Sequence, residues 1–208
     1  MNIGIFGASG LAVEVADICQ ELGYHNVVLI DKEKTVKERS GFPIRSEDAV
    51  ETLAEAGYHF VIAIGSPELR RQVYRRYPDL QYVNIVHPAA TFGRRQALEL
   101  HRRVGNIVLA GARMTSDIQC GNFGIYNQNC TIAHDCVVED FVTIGPGANV
   151  SGNVHLQECA YIGTGSVILQ GASRARKMVI GRHATIGAGA VVTRHVPDHH
   201  VVKGVPAK

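Results

Sequence analysis

The chain has 208 residues, 46% hydrophobic and 19% charged, the proportions of an ordinary globular protein with room for one large or two small cored domains. Its 21 basic and 19 acidic residues leave a net charge of +2, which gives no footing for nucleic acid or a membrane surface as the main partner. No window approaches the ~18 apolar residues of a membrane helix, no basic leader precedes NIGIF at residues 2–6, and five cysteines form no CxxC pair. A soluble, cytoplasmic protein is expected.

Residues 2–6 read as a buried strand, followed by Gly7-Ala8-Ser9-Gly10 and an apolar-periodic run at 11–22 that should stop at Gly23. Strand, glycine turn and helix make the first half of a βαβ unit. A second buried strand at 27–30 ends in Asp31, and an acidic residue roughly 20 positions after a glycine turn is placed to meet a ribose or sugar hydroxyl. The turn has the form GxxGxA, not GxGxxG, so Gly7 and Gly10 serve equally a tight helix-packing turn or a diphosphate at the helix start.

Ser46-Glu47-Asp48 is a capped start for a helix to about residue 56, and 60–64 a third strand. Gly65 then turns the chain into Ser66-Pro67, an N-cap with proline in the first turn. The helix that follows carries Glu68, Arg70, Arg71, Arg75 and Arg76, most of them expected to be solvated. A strand at 82–86 ends at His87-Pro88, which sets the boundary: a Rossmann-like α/β domain at 1–86 and a second domain at 87–208.

The second domain repeats with a period of six. Every sixth residue from Cys120 runs Cys120, Tyr126, Ile132, Val138, Ile144, Val150, Leu156, Ile162 and Ile168, and the phase returns at Ile180, Ile186 and Val192. The fourth residue after each is mostly small: Gly124, Cys130, Cys136, Ala148, Ala160, Ser166, Ala184 and Ala190. That period fits neither a helix nor one long strand; it fits a coil of short flat strands with an aliphatic on the axis and a small residue near each corner. Three hexads close one triangular coil, and stacking coils builds the core. The phase fails twice. VGNIVL at 104–109 looks like a repeat but is out of step with Cys120, next to a segment, RRQALELHRR, that has no clear place; at 172–179, ASRARKMV must leave the coil as a loop whose Arg174, Arg176 and Lys177 face either solvent or coenzyme phosphates.

His134-Asp135 is the candidate catalytic pair. It falls at the third and fourth positions of the hexad beginning at Ile132, where a side chain points away from the core. Histidine ionises near 6.5, about right for accepting a proton from an attacking amine or hydroxyl, and an adjacent carboxylate can orient the ring.

The segments IGPGAN (144–149), IGTGSV (162–167) and IGAGAV (186–191) resemble those of the hexapeptide-repeat acyltransferases, whose coil is a left-handed parallel β-helix. More narrowly, GASG near the start, IAIGSPELRR at 62–71, HPAA at 87–90, NQNCTIAHDCVV at 127–138 and GVPAK at the end resemble the sugar acetyltransferases that join a nucleotide-sugar-binding domain to such a helix. These include the UDP-4-amino-sugar N-acetyltransferases of the bacillosamine pathway, the perosamine N-acetyltransferases and a sialic acid O-acetyltransferase branch.

The resemblance implies the roles that follow. His134 matches the general base, Asp135 its acidic partner, Asn127 an acceptor-side residue, and Gly152 the glycine whose N–H meets the thioester carbonyl. Thr143, Thr164 and Ala188 match acetyl-CoA-lining positions, and Gly7, Ser9, Gly10, Asp31, Gly65 and Ser66 the nucleotide-sugar site. Thr143 stands where relatives of the bacillosamine type have a second histidine, Leu11 replaces a histidine after the glycine turn, and Lys32 a second aspartate. The implied enzyme is a homotrimer that moves an acetyl group from acetyl-CoA to the amine of a nucleotide-linked 4-amino-sugar, without a metal; sialic acid or another sugar hydroxyl is the alternative acceptor. A metal hydratase on the same coil needs three converging histidines, for which His195 and His200 in the tail are the remaining candidates. A dehydrogenase reading rests only on the short first domain, and a mere scaffold leaves His134-Asp135 without a use.

Overall fold

The computed structural model describes residues 1–32 and 36–208 as two compact units, Met1–Ile85 and Val86–Lys208. In the first, β1 (Asn2–Phe6), α1 (Gly10–Glu21), β2 (Asn26–Asp31), β3 (Glu38–Arg39), β4 (Phe42–Ser46), α2 (Val50–Glu55), β5 (His59–Ile62) and α3 (Pro67–Arg76) follow in chain order. The sheet order is β3-β4-β2-β1-β5, parallel except for the β3 edge. Ile3, Ile5, Leu29, Ile30, Val61 and Ile62 are at most 1% exposed, as expected where both faces of a parallel sheet are covered. Gly23, at φ +86, ends α1 in the left-handed conformation that glycine adopts without a Cβ clash.

Neither β3 nor β4 is evident in the sequence, because the two strands are held by their pairing and not by a long apolar run. Arg70 corrects the expectation of a solvated helix face: it is fully buried, and its Nη1 donates to the Ile64 and Gly65 carbonyls at 2.7 and 3.3 Å. Burying a guanidinium is tolerated there because it satisfies the carbonyls that the strand leaves behind as it turns into α3.

The second unit is a left-handed parallel β-helix. Successive strands on each face pair eighteen residues apart, as in Ile125 with Thr143, Thr131 with Asn149 and Val137 with His155. Three corners separate the faces, and the second corner residue is left-handed: Asp117, Asn129, Asp135, Phe141 and Asn153 lie between φ +56 and +62. Aspartate and asparagine tolerate that region best among residues with a side chain; Phe141 is held there by stacking on Phe123 at 5.1 Å. The hexad side chains and their small partners form one buried cluster from Val108 to Val196.

That cluster corrects the phase assigned to residues 104–109. Val108 pairs with Tyr126 and Met114 with Ile132, so the register of Cys120 runs back to Val108, and Val104, the first residue of VGNIVL, is off that register and exposed. The unplaced stretch beside it forms α4 (Gln96–His101). Leu100 packs into the cluster and the buried Gln96 amide exchanges hydrogen bonds with the backbone of Ile118, so α4 covers apolar side chains that the first coil would leave bare. At the second break, Leu156 pairs with Ile180, twenty-four residues on, because 172–177 leaves the coil as a six-residue insertion and the phase resumes intact. Among the described residues no helix is long and apolar enough to cross a membrane.

Ile162 is fully buried at mid-coil. Ile162→Ala should lower unfolding free energy by about 2–5 kcal/mol in urea denaturation; an unchanged midpoint would show that this side chain does not fill the coil.

Candidate active site

His134 and Asp135 form one corner of the β-helix, directly below Gly152-Asn153 of the next coil. The Asn153 N–H donates to the His134 carbonyl at 3.0 Å, and Gly171 N–H to the Gly152 carbonyl at 3.0 Å, so the corners stack. Asp135 sits at φ +62, and its Oδ2 lies 2.7 Å from His134 Nδ1. That contact holds the carboxyl below the usual carboxylate range, reinforced by Arg174. A carboxylate only accepts hydrogen bonds, so Nδ1 carries the proton in the neutral ring and the lone pair is on Nε2. The His134 side chain is 58% exposed and open to a substrate.

The ring lies on Gly152. A Cβ at residue 152 would come within 2.7 Å of the imidazole Cε1 and Nε2, so glycine is what permits the approach. Among the described residues nothing accepts a hydrogen bond from the Gly152 N–H. One site thus offers a proton acceptor and an unpaired backbone donor side by side, the parts needed to take a proton and to steady an oxyanion.

The insertion at 172–177 reaches this corner, so Arg174 and Lys177 face neither bulk solvent alone nor a phosphate but the backbone and carboxylates of the corner. Arg174 Nε lies 2.5 Å from Asp135 Oδ1 and its Nη2 3.0 Å from Asp117 Oδ2, and Lys177 Nζ donates to the Asp135 carbonyl. Register counting is the signal that would have found this contact: His134, Gly152 and Gln170 fall eighteen residues apart, so a loop that leaves the coil after Gly171 starts above the histidine. Arg176 makes no ion pair among the described residues and lines, with Arg174, Lys177, Arg194, His195 and His155, a cleft of about 890 Å³.

Cys136, two residues from His134, is fully buried; its thiol is pushed up to about 11, first by burial, and donates to the Ser151 carbonyl at 3.2 Å. It is protonated and inward, unsuited to nucleophilic attack. All five cysteines are free and buried.

The other acetyl-CoA-lining candidates are not gathered around His134. Thr164 and Ala188 are exposed on a different corner, stacked by the Gly189 N–H donating to the Thr164 carbonyl at 2.8 Å, with Gly147, Gly165 and Gly189 each left-handed beside them. Thr143 is only 3% exposed, within Thr143–Ile144, and pairs with Tyr161 on the next coil. Asn127 is half-buried, and its side-chain amide donates to the Ile144 carbonyl at 2.8 Å, so that group braces the corner. In the tail, His195 Nδ1 accepts from the Val179 N–H at 2.9 Å.

In the first unit the structure brings six candidates to one edge. Gly7, Ser9 and Gly10 follow the C-terminal end of β1, Asp31 ends β2, and Gly65 and Ser66 follow β5. Such an edge of a parallel sheet is where α/β folds bind ligands. Gly7, at φ +114, passes so near the Ala63 carbonyl that a Cβ would stand 2.9 Å from its oxygen. Ser9 makes no side-chain cap, whereas Ser66 accepts from the Leu69 N–H at 3.4 Å. Arg39, absent from the sequence candidates, donates from Nη1 to the Ala8 carbonyl at 2.5 Å and adds a positive charge at the turn.

Residues 2–77 match the family described as the PglD N-terminal domain. Over 219 aligned positions the chain is 32% identical to GDP-perosamine N-acetyltransferase of Escherichia coli O157:H7, covering 100% of this chain and 96% of that relative. Among solved structures, WeeI from Acinetobacter baumannii AYE superposes with a TM-score of 0.88 at 30% identity, covering 100% and 99% of the two chains. PerB from Caulobacter crescentus, solved in complex with CoA and GDP-perosamine, gives 0.87 at 28% identity over 100% and 96%. The chain therefore belongs to the hexapeptide-repeat sugar acetyltransferases that carry an N-terminal domain of the PglD type, the family of GDP-perosamine N-acetyltransferase.

Proposed function

We propose that the protein transfers the acetyl group of acetyl-CoA directly to the amino group of a nucleotide-linked 4-amino-sugar, with His134 as general base. The observation that carries this reading is the His134–Asp135 contact of 2.7 Å, which leaves an acceptor lone pair on Nε2 next to the unpaired Gly152 N–H. The relatives support the substrate class: one is a GDP-perosamine N-acetyltransferase and another binds CoA and GDP-perosamine.

In the proposed step the amine nitrogen attacks the thioester carbonyl carbon as its proton passes to His134 Nε2. The carbonyl π pair moves to oxygen, where the Gly152 N–H meets it. Collapse of the tetrahedral intermediate reforms the carbonyl, breaks the carbon–sulfur bond, and returns the proton from the imidazolium to the departing thiolate. The products are the N-acetylated sugar and coenzyme A. Asp135 keeps the proton on Nδ1 throughout and balances the transient imidazolium. Gly7, Ser9, Gly10, Asp31, Gly65 and Ser66 are assigned to the nucleotide-sugar, with diphosphate at the α1 N-terminus and Asp31 on a hydroxyl.

Thr164 and Ala188 sit on a different corner from His134, so within this reading they line the coenzyme site of a neighbouring copy. A triangular prism with flat faces suits three-fold association, and a homotrimer is the proposed assembly. Thr143, being buried, is given a packing role at that face instead of contact with the coenzyme.

Thiol release from acetyl-CoA against UDP-, GDP- and dTDP-linked 4-amino-sugars and free sialic acid should single out one amino-sugar, GDP-perosamine being the first to try. His134→Ala should lower that rate by about 10²–10⁴-fold; release with sialic acid alone would move the chain to O-acetylation. If the site is shared, His134→Ala and Thr164→Trp proteins should each be inactive yet recover activity when co-assembled, because a mixed trimer contains one intact pair of corners; mixed trimers without activity would place the whole site in one chain.

A further inference from the structure

We propose that Arg174 is a positioning residue for the transfer, holding Asp135 and through it the imidazole of His134. The inference rests on reading His134 as the base. Both oxygens of Asp135 are occupied: Oδ2 lies 2.7 Å from His134 Nδ1 and Oδ1 lies 2.5 Å from Arg174 Nε. The guanidinium also reaches Asp117 Oδ2 at 3.0 Å, and Asp117 is the left-handed corner residue of the preceding coil, eighteen positions before Asp135. Arg174 therefore clamps two stacked corners together. Lys177, from the same insertion, donates to the Asp135 main-chain carbonyl, so one loop fixes Asp135 at both its side chain and its backbone.

Stability alone does not explain the clamp. The Arg174 side chain is 71% exposed, and ion pairs open to solvent add little to folding. What the clamp does is geometric and electrostatic. A carboxylate held by histidine alone can swing about its χ torsions; one gripped on both oxygens presents Oδ2 in a single place, and a displacement of about 1 Å at a catalytic group costs on the order of 10²-fold in rate. The guanidinium also offsets part of the pull that Asp135 exerts on the imidazolium. Because two carboxylates already occupy Nε and Nη2, Arg174 is a poor candidate for a coenzyme phosphate; Arg176, which lines the same 890 Å³ cleft and makes no ion pair among the described residues, is the better one. Among the described residues, Asp117, Arg174 and Lys177 contact Asp135 or its clamp, and Arg95, Glu99 and Arg102 line the same cavity.

The test compares Arg174→Ala, Arg174→Lys and Arg176→Ala with the wild type and His134→Ala, using acetyl-CoA and GDP-perosamine, together with NMR relaxation of the His134 ring, which needs no substrate. Arg174→Ala should give a more mobile ring, because the carboxylate that holds it is released on one oxygen, and should lose about tenfold in kcat with KM for acetyl-CoA within about twofold. Lysine should restore both only in part, since it returns the charge without the fork. Arg176→Ala should leave the ring as in the wild type. The proposal is overturned if Arg174→Ala raises KM for acetyl-CoA at unchanged kcat, the mark of a phosphate ligand, or if it leaves both kcat and the ring's mobility as in the wild type. Wild-type turnover in His134→Ala would instead remove the reading on which the proposal rests, and the relaxation would still report whether Arg174 acts on the ring.

Discussion

The structure depends on the stacking of inward aliphatic side chains, eighteen residues apart except across the insertion at 172–177, where the step is twenty-four. Each coil has apolar edges above and below it, so Ile132, Val150 and Ile168 stabilise one another only as a column, and likewise Ile144, Ile162 and Ile186. A column tolerates no slip: one residue out of register would turn these side chains outward. That rigidity makes the corners useful. Residues at equivalent corner positions are locked one above the next by backbone hydrogen bonds, so a histidine in one coil and a glycine eighteen residues later meet without any flexible segment between them.

The chemistry follows from that stacking. Imidazole over Gly152 is an approach that any side chain at 152 would block, and it sets the proposed base near an N–H that has no partner within the described residues. The left-handed backbone at Asp135 turns its carboxylate back onto the neighbouring ring. The apolar interior a few ångströms away pushes the Cys136 thiol up to about 11, which keeps the thiol beside this corner protonated.

Much of this was legible in the sequence, for physical reasons that can be named. A period of six is fixed by coil geometry, so Cys120 to Val192 announced the helix, and the corner position of His134 followed from its place in the hexad beginning at Ile132. In the first unit β1, β2 and β5 were visible because burial on both faces forces continuous apolar runs. What escaped depended on pairing across distance. β3 and β4 are short and defined by their partners, Arg70 looked like one of several surface arginines until its carbonyl partners appeared, and the phase of 104–109 was missed because VGNIVL looks like a hexad beginning at Val104, whereas the register residue is Val108. The Arg174 contact was accessible to counting in eighteens, but its direction was not, since a loop of six residues can leave a corner either way. Thr164 and Ala188 lie on a different corner from that of His134, and counting along one chain could not say which copy's His134 they would serve.

The account comes down to where the acceptor amine sits. A crystal structure of the chain with coenzyme A and GDP-perosamine would test it most directly. The account predicts the sugar amino nitrogen within about 3 Å of His134 Nε2, the coenzyme sulfur close to the Gly152 N–H, and Nδ1 still on Asp135. An amine turned toward another proton acceptor, with His134 facing solvent, would contradict it.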